Sequence, residues 1–130
     1  MKFLVAYNGT KESQAALELA KTHARIFDAR LVILSSSEGG KGEKIEDINK
    51  IKRDLENIQV GLSKDGIECE VEQLARGLMP GEDIVLYAAE NDIDLIYVGI
   101  RKKSRTSKLI LGSTAQFIIL KAKCPVTSVK

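Results

Sequence analysis

The sequence predicts an α/β fold built on a parallel β-sheet with helices on both of its faces. Short apolar runs alternate along the chain with stretches in which apolar residues recur every three or four positions, the patterns of strands and amphipathic helices. The runs at 2–7 and 30–34 are almost continuously apolar, which is typical of strands covered on both faces. Right-handed crossovers between such strands distribute the connecting helices over the two faces of the sheet.

Length and composition favour one globular domain over residues 1–130. The chain has 130 residues, of which 44% are hydrophobic and 29% charged, so it can form its own core but is too short for two ordinary domains. A net charge of +2 is too small to indicate a nucleic-acid partner. Met1 leads directly into a strand and no apolar run is long enough to span a membrane. We therefore expect a cytoplasmic protein without a membrane partner.

The first third of the chain predicts a strand, a helix and a second strand. Turn residues at 8–10 end the strand at 2–7, and the second strand covers 30–34. Residues 35–42 are small and polar and form the longest predicted loop. The helix between the two strands has one apolar face, whose expected members are Ala16, Leu19, Ala20, either His23 or Ala24, and Phe27.

The rest of the chain continues this alternation. Residues 67–72 alternate apolar residues with glutamates, as an edge strand does. Cys69 in this strand and Cys124 do not resemble a secreted disulfide framework, and we expect both to be small buried apolar residues. The helix predicted over 43–63 is the clearest amphipathic one, with an apolar stripe of Ile45, Ile48, Ile51, Leu55, Ile58 and Leu62. The remaining predicted elements are a helix over 80–91, a strand over 94–98, a helix over 113–122 and a strand over 125–129.

These patterns favour the strand order 3-2-1-4-5. The glutamate-rich third strand and the short fifth strand suit the edges, and the apolar first and fourth strands suit the centre. In open α/β sheets, ligands bind at the carboxyl ends of the strands, where the strand order reverses. The predicted ligand crevice therefore lies between residues 7–9 and 99–113.

The stretch 99–113 has the features of a site for an anion. Gly99 leaves a strand, and Gly112 and Ser113 open a helix whose N-terminal amide groups and dipole attract an anion. Between them lies a cluster of five cations with few acids nearby, namely Arg101, Lys102, Lys103, Arg105 and Lys108. The anion that we expect is a phosphate. Two simpler interpretations stay open: Ser113 and Gln116 could form only a capping box, and the cations could be a solvated surface.

The same stretch resembles a motif of the universal stress protein family. Nucleotide-binding members of this family carry Gly-x-x-Gly, nine further residues, and then Gly-Ser or Gly-Thr. Gly99 matches the first glycine, and residues 103–111 supply the spacer before Gly112 and Ser113. Lys102 stands in place of the second glycine. The resemblance covers nearly the whole chain, through the segments VAYNGTKESQAALELA, DLIYVGI and LILGSTAQFIILKAKCPV.

The resemblance implies the same strand order and an ATP site at the crevice. Magnesium or manganese would bind only through the nucleotide. Asn8 takes the place of an aspartate and Ser36 that of an apolar contact to adenine. At position 102 the lysine could obstruct the approach of ligand to backbone, or its charge could replace the lost backbone contacts. The nucleotide-binding residues implied in this way are Ala6, Tyr7, Asn8, Ser36, Gly99, Arg101, Lys102, Gly112, Ser113 and Thr114.

The resemblance also implies a homodimer joined through the C-terminal strand, and it leaves an additional protein partner open. The sequence contains no catalytic constellation: His23 is the only histidine, and no glycine-rich nucleotide motif follows the first strand. Acidic residues near the crevice lack the spacing of metal ligands. We therefore predict no catalytic residue and no metal site, and the resemblance implies a stress-response sensor or regulator with at most weak ATP hydrolysis. Two alternatives are a nucleotide-free dimeric interaction module and an enzyme acting on a phosphorylated small molecule.

Overall fold

A computed structural model describes residues 1–101 and 111–130. In these two ranges the strands are β1 (Lys2–Ala6), β2 (Arg30–Ser36), β3 (Cys69–Leu74), β4 (Leu95–Gly99) and β5 (Val126–Val129). The helices are α1 (Lys11–Phe27), α2 (Ile45–Lys64), α3 (Pro80–Glu90) and α4 (Ser113–Lys121). The strands form one parallel sheet of order β3-β2-β1-β4-β5. This order confirms the predicted fold class.

Strand β1 lies at the centre of the sheet, between β2 and β4. Its pairing with β2 begins with Lys2 opposite Arg30, and its pairing with β4 begins with Phe3 opposite Leu95. The chain crosses from one side of β1 to the other between β3 and β4. The connection that follows β1 runs towards β2, and the connection that follows β4 runs in the opposite direction, towards β5. This reversal opens a crevice above the carboxyl ends of β1 and β4.

Both faces of the sheet are buried, which explains why the first two strands are continuously apolar. Successive side chains of a strand point to opposite faces. Phe3 and Val5 enter a core that contains residues of α1 and α2, while Leu4 and Ala6 enter a core that contains residues of α3 and α4. A polar side chain at any of these four positions would be buried.

Helix α1 packs on the sheet mainly through small residues. Its buried positions are Ser13, Ala16, Leu17, Ala20 and Ala24. Leu17 was missing from the predicted face, and Phe27, which was included, is 56% exposed. Phe27 occupies the last turn of the helix, where its ring packs edge-to-face with the rings of Phe3 and His23, at centroid distances of 6.3 Å and 6.4 Å.

Helix α2 is present as predicted, but its apolar stripe is only partly buried. Leu55 and Leu62 are buried, whereas Ile45 is 73% and Ile48 38% exposed. The first turns of α2 lie beside the end of the edge strand β3, since Gln73 donates a hydrogen bond to the carbonyl oxygen of Ile48 at 3.0 Å. Little sheet surface is left there to cover apolar side chains.

The bounds of strand β3 and the burial of the cysteines differ from prediction. The strand begins at Cys69 instead of 67 and continues to Leu74, while Ile67 is buried in the turn before it. Cys69 and Cys124 are both free thiols and are half-buried, because each lies on or beside an edge strand that neighbouring helices cover incompletely.

Candidate functional site

A cleft of about 510 Å³ opens at the carboxyl ends of the central strands. Among its lining residues are nine of the ten predicted site residues, namely Ala6, Tyr7, Asn8, Ser36, Gly99, Arg101, Gly112, Ser113 and Thr114. Lys102 lies outside the described residues, as do the other predicted cations Lys103, Arg105 and Lys108. The structure thus brings these nine residues to one cleft, and their contact with a ligand stays a prediction.

The turn between β1 and α1 forms one wall of the cleft. The side-chain oxygen of Asn8 accepts hydrogen bonds from the Thr10 backbone N–H at 3.2 Å and from the Thr10 hydroxyl at 2.7 Å. The Thr10 hydroxyl oxygen in turn accepts a bond from the N–H of Ser13 at 3.2 Å, so Thr10 is the N-cap of α1. Asn8 therefore forms an Asx turn and does not cap the helix itself.

Gly99 is required where the end of β4 meets the first turn of α1. A Cβ atom on Gly99 would lie 2.5 Å from the carbonyl oxygen of Glu12 and 2.7 Å from the amide nitrogen of Ser13. Any side chain at this position would overlap backbone atoms that cannot rotate away. The close neighbour of Gly99 is therefore the backbone of α1.

Helix α4 begins one residue earlier than a capping box would require. Gly112 is the N-cap, and Ser113 is the first helical residue and is exposed. No side chain caps this helix in the described part of the chain, so the predicted capping box of Ser113 and Gln116 is wrong. A serine at the first helical position cannot reach the amide group that an N-cap serine would bond. Backbone N–H groups at Gly112–Thr114 consequently line the cleft without a side-chain cap.

A carboxylate lies beside the basic side of the cleft. Glu12 lines the cleft from the first turn of α1, and its Oε1 atom is 3.6 Å from Nε of Arg101. Among the predicted cations, Arg101 thus has an acid beside it. Glu12 is far from Arg101 along the chain, so sequence position carried no signal of this pair.

A buried carboxylate stands behind the opposite wall of the cleft. Asp83 in α3 is 0% exposed, and its Oδ2 atom accepts a hydrogen bond of 2.6 Å from the hydroxyl of Ser36. Its Oδ1 atom lies 2.6 Å from both Nε and Nη2 of Arg76, which also bonds Glu90 at 3.1 Å. Its place in the first turn of α3 indicates only a favourable charge at the helix N-terminus, so the sequence gives no sign of the contacts with Ser36 and Arg76.

Tyr7 connects the cleft to helix α2. Its phenol donates a hydrogen bond of 3.0 Å to Asp54 Oδ2 and also borders a second cavity, of about 400 Å³, between α1 and α2. Burial, together with the hydrogen bond to Asp54 and the charge of that carboxylate, raises the pKa of Tyr7 to about 12. The phenol is therefore neutral and acts as a donor at any physiological pH.

We expect Tyr7 to stabilise the fold until the solution becomes strongly alkaline. The pKa of Tyr7 is raised from 10.0 to about 12 on folding, so its contribution is complete below pH 10 and is lost as the pH rises through 12. Burial also raises the pKa values of Tyr87 and Tyr97, so the phenolate absorbance of Tyr7→Phe must be subtracted from that of the wild type. In Asp54→Asn the difference titration should move to lower pH. An unchanged titration would contradict the role of the Asp54 charge.

Within residues 1–101 and 111–130 there is no group of three or more side chains arranged to hold a metal ion. In the same ranges no helix combines the length and the apolar composition that crossing a bilayer requires. What the cleft does offer is a helix N-terminus and a guanidinium on one side of β1, and a serine backed by a buried carboxylate on the other. Such an arrangement suits a ligand with an anionic end and a polar, uncharged end.

Comparison with known proteins agrees with this fold and cleft. A universal stress protein of Thermus aquaticus is 31% identical over 134 aligned positions, which cover 98% of this chain and 96% of that protein. The structure of a universal stress protein from Archaeoglobus fulgidus superposes with a TM-score of 0.88 at 38% identity, covering 100% of this chain and 98% of that chain. A structure of the universal stress protein from the same organism in complex with dAMP has a TM-score of 0.82 at 34% identity, with the same coverage. The profile of the universal stress protein family matches residues 1–130. The chain therefore belongs to the universal stress protein family.

Proposed function

We propose that this protein binds an adenine nucleotide, with ATP as the form expected from its sequence, in the cleft above β1 and β4. The observation that carries the proposal is the meeting of the N-terminus of α4 with Arg101 at the point where the strand order reverses. The Archaeoglobus fulgidus protein solved with dAMP, at 34% identity, supports an adenine nucleotide as the ligand. Any magnesium or manganese would come with the nucleotide.

In this proposal the phosphates lie against the amide groups at Gly112–Thr114 and near Arg101. Amide groups at a helix N-terminus donate hydrogen bonds to phosphate oxygens, and the helix dipole adds a favourable field. The phosphates would have to compete with Glu12 for the guanidinium, which lies in a largely exposed position. Affinity should therefore fall as salt is added, because exposed charges are screened over about 8 Å at physiological ionic strength.

A side chain at Gly112 should block the cleft without disturbing the fold. Gly112 has φ of −62°, and no atom of the described residues lies within 4 Å of a Cβ placed there. We expect Gly112→Leu to weaken AMP and ATP binding at least about tenfold, which corresponds to roughly 1.4 kcal/mol. Calorimetric titration measures this loss. The matched control is Gly61→Leu on the exposed side of α2, where a Cβ also meets none of the described atoms.

These titrations decide between the proposal and its alternative. If the wild type gives neither heat nor a thermal shift with millimolar AMP or ATP, nucleotide binding is ruled out for this chain. The function would then be that of a nucleotide-free interaction module of the same fold. Two observations favour this alternative: Glu12 already pairs with Arg101, and the Asn8 oxygen is already used within its own turn.

We also propose that the protein acts as a cytoplasmic homodimer that senses or regulates during stress, with β5 at the dimer interface. β5 is an edge strand, and an unpaired edge invites contact with another chain unless an assembly with two-fold symmetry closes it. Pro125 and Val129 direct their carbonyl oxygens to β4, since these accept bonds from Ile96 at 3.1 Å and Ile100 at 2.7 Å. By strand alternation, the N–H groups of Val126 and Ser128 point away from β4.

Replacing Ser128 with proline should therefore convert the dimer into a monomer. The change removes an outward N–H and places a ring on the open edge, while the bonds between β4 and β5 stay intact. Sedimentation velocity of the wild type and of Ser128→Pro measures the effect, and circular dichroism verifies that the fold is kept. A wild type that is already monomeric would rule out the dimer, and a folded Ser128→Pro that is still dimeric would move the interface elsewhere.

A further inference from the structure

The pairing of Asp83 with Arg76 decides the direction of the hydrogen bond at Ser36. Asp83 is fully buried, and two guanidinium nitrogens of Arg76 lie 2.6 Å from its Oδ1 atom. A guanidinium can only donate hydrogen bonds, so Asp83 acts as an acceptor towards Arg76. The hydroxyl of Ser36, whose oxygen is 2.6 Å from Asp83 Oδ2, donates its proton to Asp83.

Ser36 consequently presents a hydrogen-bond acceptor to the cleft. A serine hydroxyl has one proton and two lone pairs, and here the proton is held by the buried carboxylate. Ser36 is half-buried at the end of β2 and lines the cleft together with Pro80 and Ile84. A ligand group that reaches this wall is favoured if it donates a hydrogen bond and disfavoured if it presents only an oxygen.

The sheet separates this wall from the basic side of the cleft. Ser36 ends β2 and Gly99 ends β4, and these strands lie on opposite sides of β1. Two strand spacings place the two ends roughly 10 Å apart. Arg101 and the start of α4 lie on the β4 side, where phosphate would bind, whereas an acceptor-only serine backed by a carboxylate repels phosphate. The uncharged end of the ligand therefore belongs at Ser36.

We propose that Ser36, oriented by Asp83 and Arg76, is a specificity-determining residue that selects a base carrying an exocyclic amine over one carrying an oxygen in the same place. Asp83 and Arg76 are positioning residues, because they act through Ser36 and do not line the cleft themselves. The inference rests on the proposed nucleotide binding and adds to it the group on the base that is read. At the exocyclic position adenine carries an amine, which satisfies this requirement, and hypoxanthine carries an oxygen, which does not.

The test compares AMP with IMP, which carries an oxygen in place of the exocyclic amine, and with purine riboside 5′-monophosphate, which lacks the amine but keeps N1 as the acceptor that it is in AMP. Calorimetric titration of the wild type should show AMP binding about tenfold tighter than either, the factor expected for about 1.4 kcal/mol of hydrogen-bond discrimination. In Ser36→Ala the affinities should come within about twofold of each other, because the acceptor is gone. In Ser36→Thr, which keeps a hydroxyl, the preference for AMP should be retained.

Asp83→Asn provides a readout that a purely structural role would not change. An asparagine amide can donate to the Ser36 oxygen and free the hydroxyl proton for the cleft. The preference should then shift towards IMP, whereas simple loosening of the fold would weaken AMP and IMP equally. Thermal unfolding verifies that each variant is folded. If Asp83→Asn does not fold, the relative affinities of Ser36→Ala for AMP and IMP decide the test.

The outcomes separate this inference from the proposed function. Equal binding of AMP and IMP by the wild type, or an unchanged ratio in Ser36→Ala, overturns the role of Ser36 and leaves nucleotide binding standing. Absence of binding with both nucleotides overturns the proposed function and this inference together. A wild-type preference for AMP that is lost in Ser36→Ala and kept in Ser36→Thr establishes the acceptor at Ser36.

Discussion

Arg76→Ala is expected to lower the free energy of unfolding by about 2–3 kcal/mol, the cost of leaving a buried carboxylate without its partner, reduced because the Arg76 side chain is itself 35% exposed. Asp83 is fully buried, and Arg76 supplies both nitrogens that lie 2.6 Å from its Oδ1 atom. With alanine at position 76, Asp83 would keep only the hydrogen bond from Ser36 as a polar side-chain contact among those found in the described chain. Denaturant unfolding at neutral pH measures the loss.

Two variants test this explanation. Glu90→Gln removes the outer partner of Arg76, an exposed pair, and should cost less than about 1 kcal/mol. The double variant Arg76→Met with Asp83→Leu replaces the ion pair with apolar side chains and should recover most of the stability lost in Arg76→Ala. A loss below about 1 kcal/mol in Arg76→Ala would show that water solvates Asp83 once Arg76 is removed, and would contradict the explanation.

Gly99→Ala should destabilise the protein by about 3 kcal/mol, at the upper end of what overpacking usually costs. The added methyl group would lie 2.5 Å from the carbonyl oxygen of Glu12 and 2.7 Å from the nitrogen of Ser13. These are backbone atoms of the first turn of α1, so relief requires β4 and α1 to separate. Since both elements border the cleft, we also expect weaker nucleotide binding in any fraction that folds.

The matched control for Gly99→Ala is the same substitution at Gly61. Gly61 lies in the exposed surface of α2, where a Cβ meets none of the described atoms within 4 Å. Alanine favours the helix over glycine by about 1 kcal/mol, so Gly61→Ala should stabilise the protein by up to that amount. Equal effects of the two substitutions on denaturant unfolding would contradict a specific steric requirement at Gly99.

The fold class was predictable because its signals are local and repeated. Continuous apolar runs at 2–7 and 30–34 indicate strands buried on both faces, and β1 and β2 are such strands. Glutamates alternating over 67–72 indicate an edge, and β3 is an edge strand. The general rule for parallel sheets then locates a ligand crevice where the order reverses, and the cleft lies there.

Patterns in the sequence were less able to predict which apolar residues are covered and where a helix is capped. The three-and-four spacing of α2 includes Ile45 and Ile48, yet both are exposed because the helix starts beside the end of the sheet edge. Ser113 and Gln116 have the spacing of a capping box, but α4 takes Gly112 as its N-cap. Spacing is preserved when a helix shifts by one residue, so it cannot determine which residue is the cap.

The sequence by itself therefore determined the α/β class and favoured the strand order, since burial period and chain direction are properties of neighbouring residues. The family resemblance supplied the predicted site residues, of which nine line the cleft. Only the tertiary structure showed which buried or partly buried carboxylates bond the residues that line the crevice. Ser36 bonds Asp83, and Tyr7 bonds Asp54, in each case across 47 positions of the chain. Contacts of this kind depend on the position of each helix on the sheet to within about an ångström. No local periodicity of the sequence encodes that position.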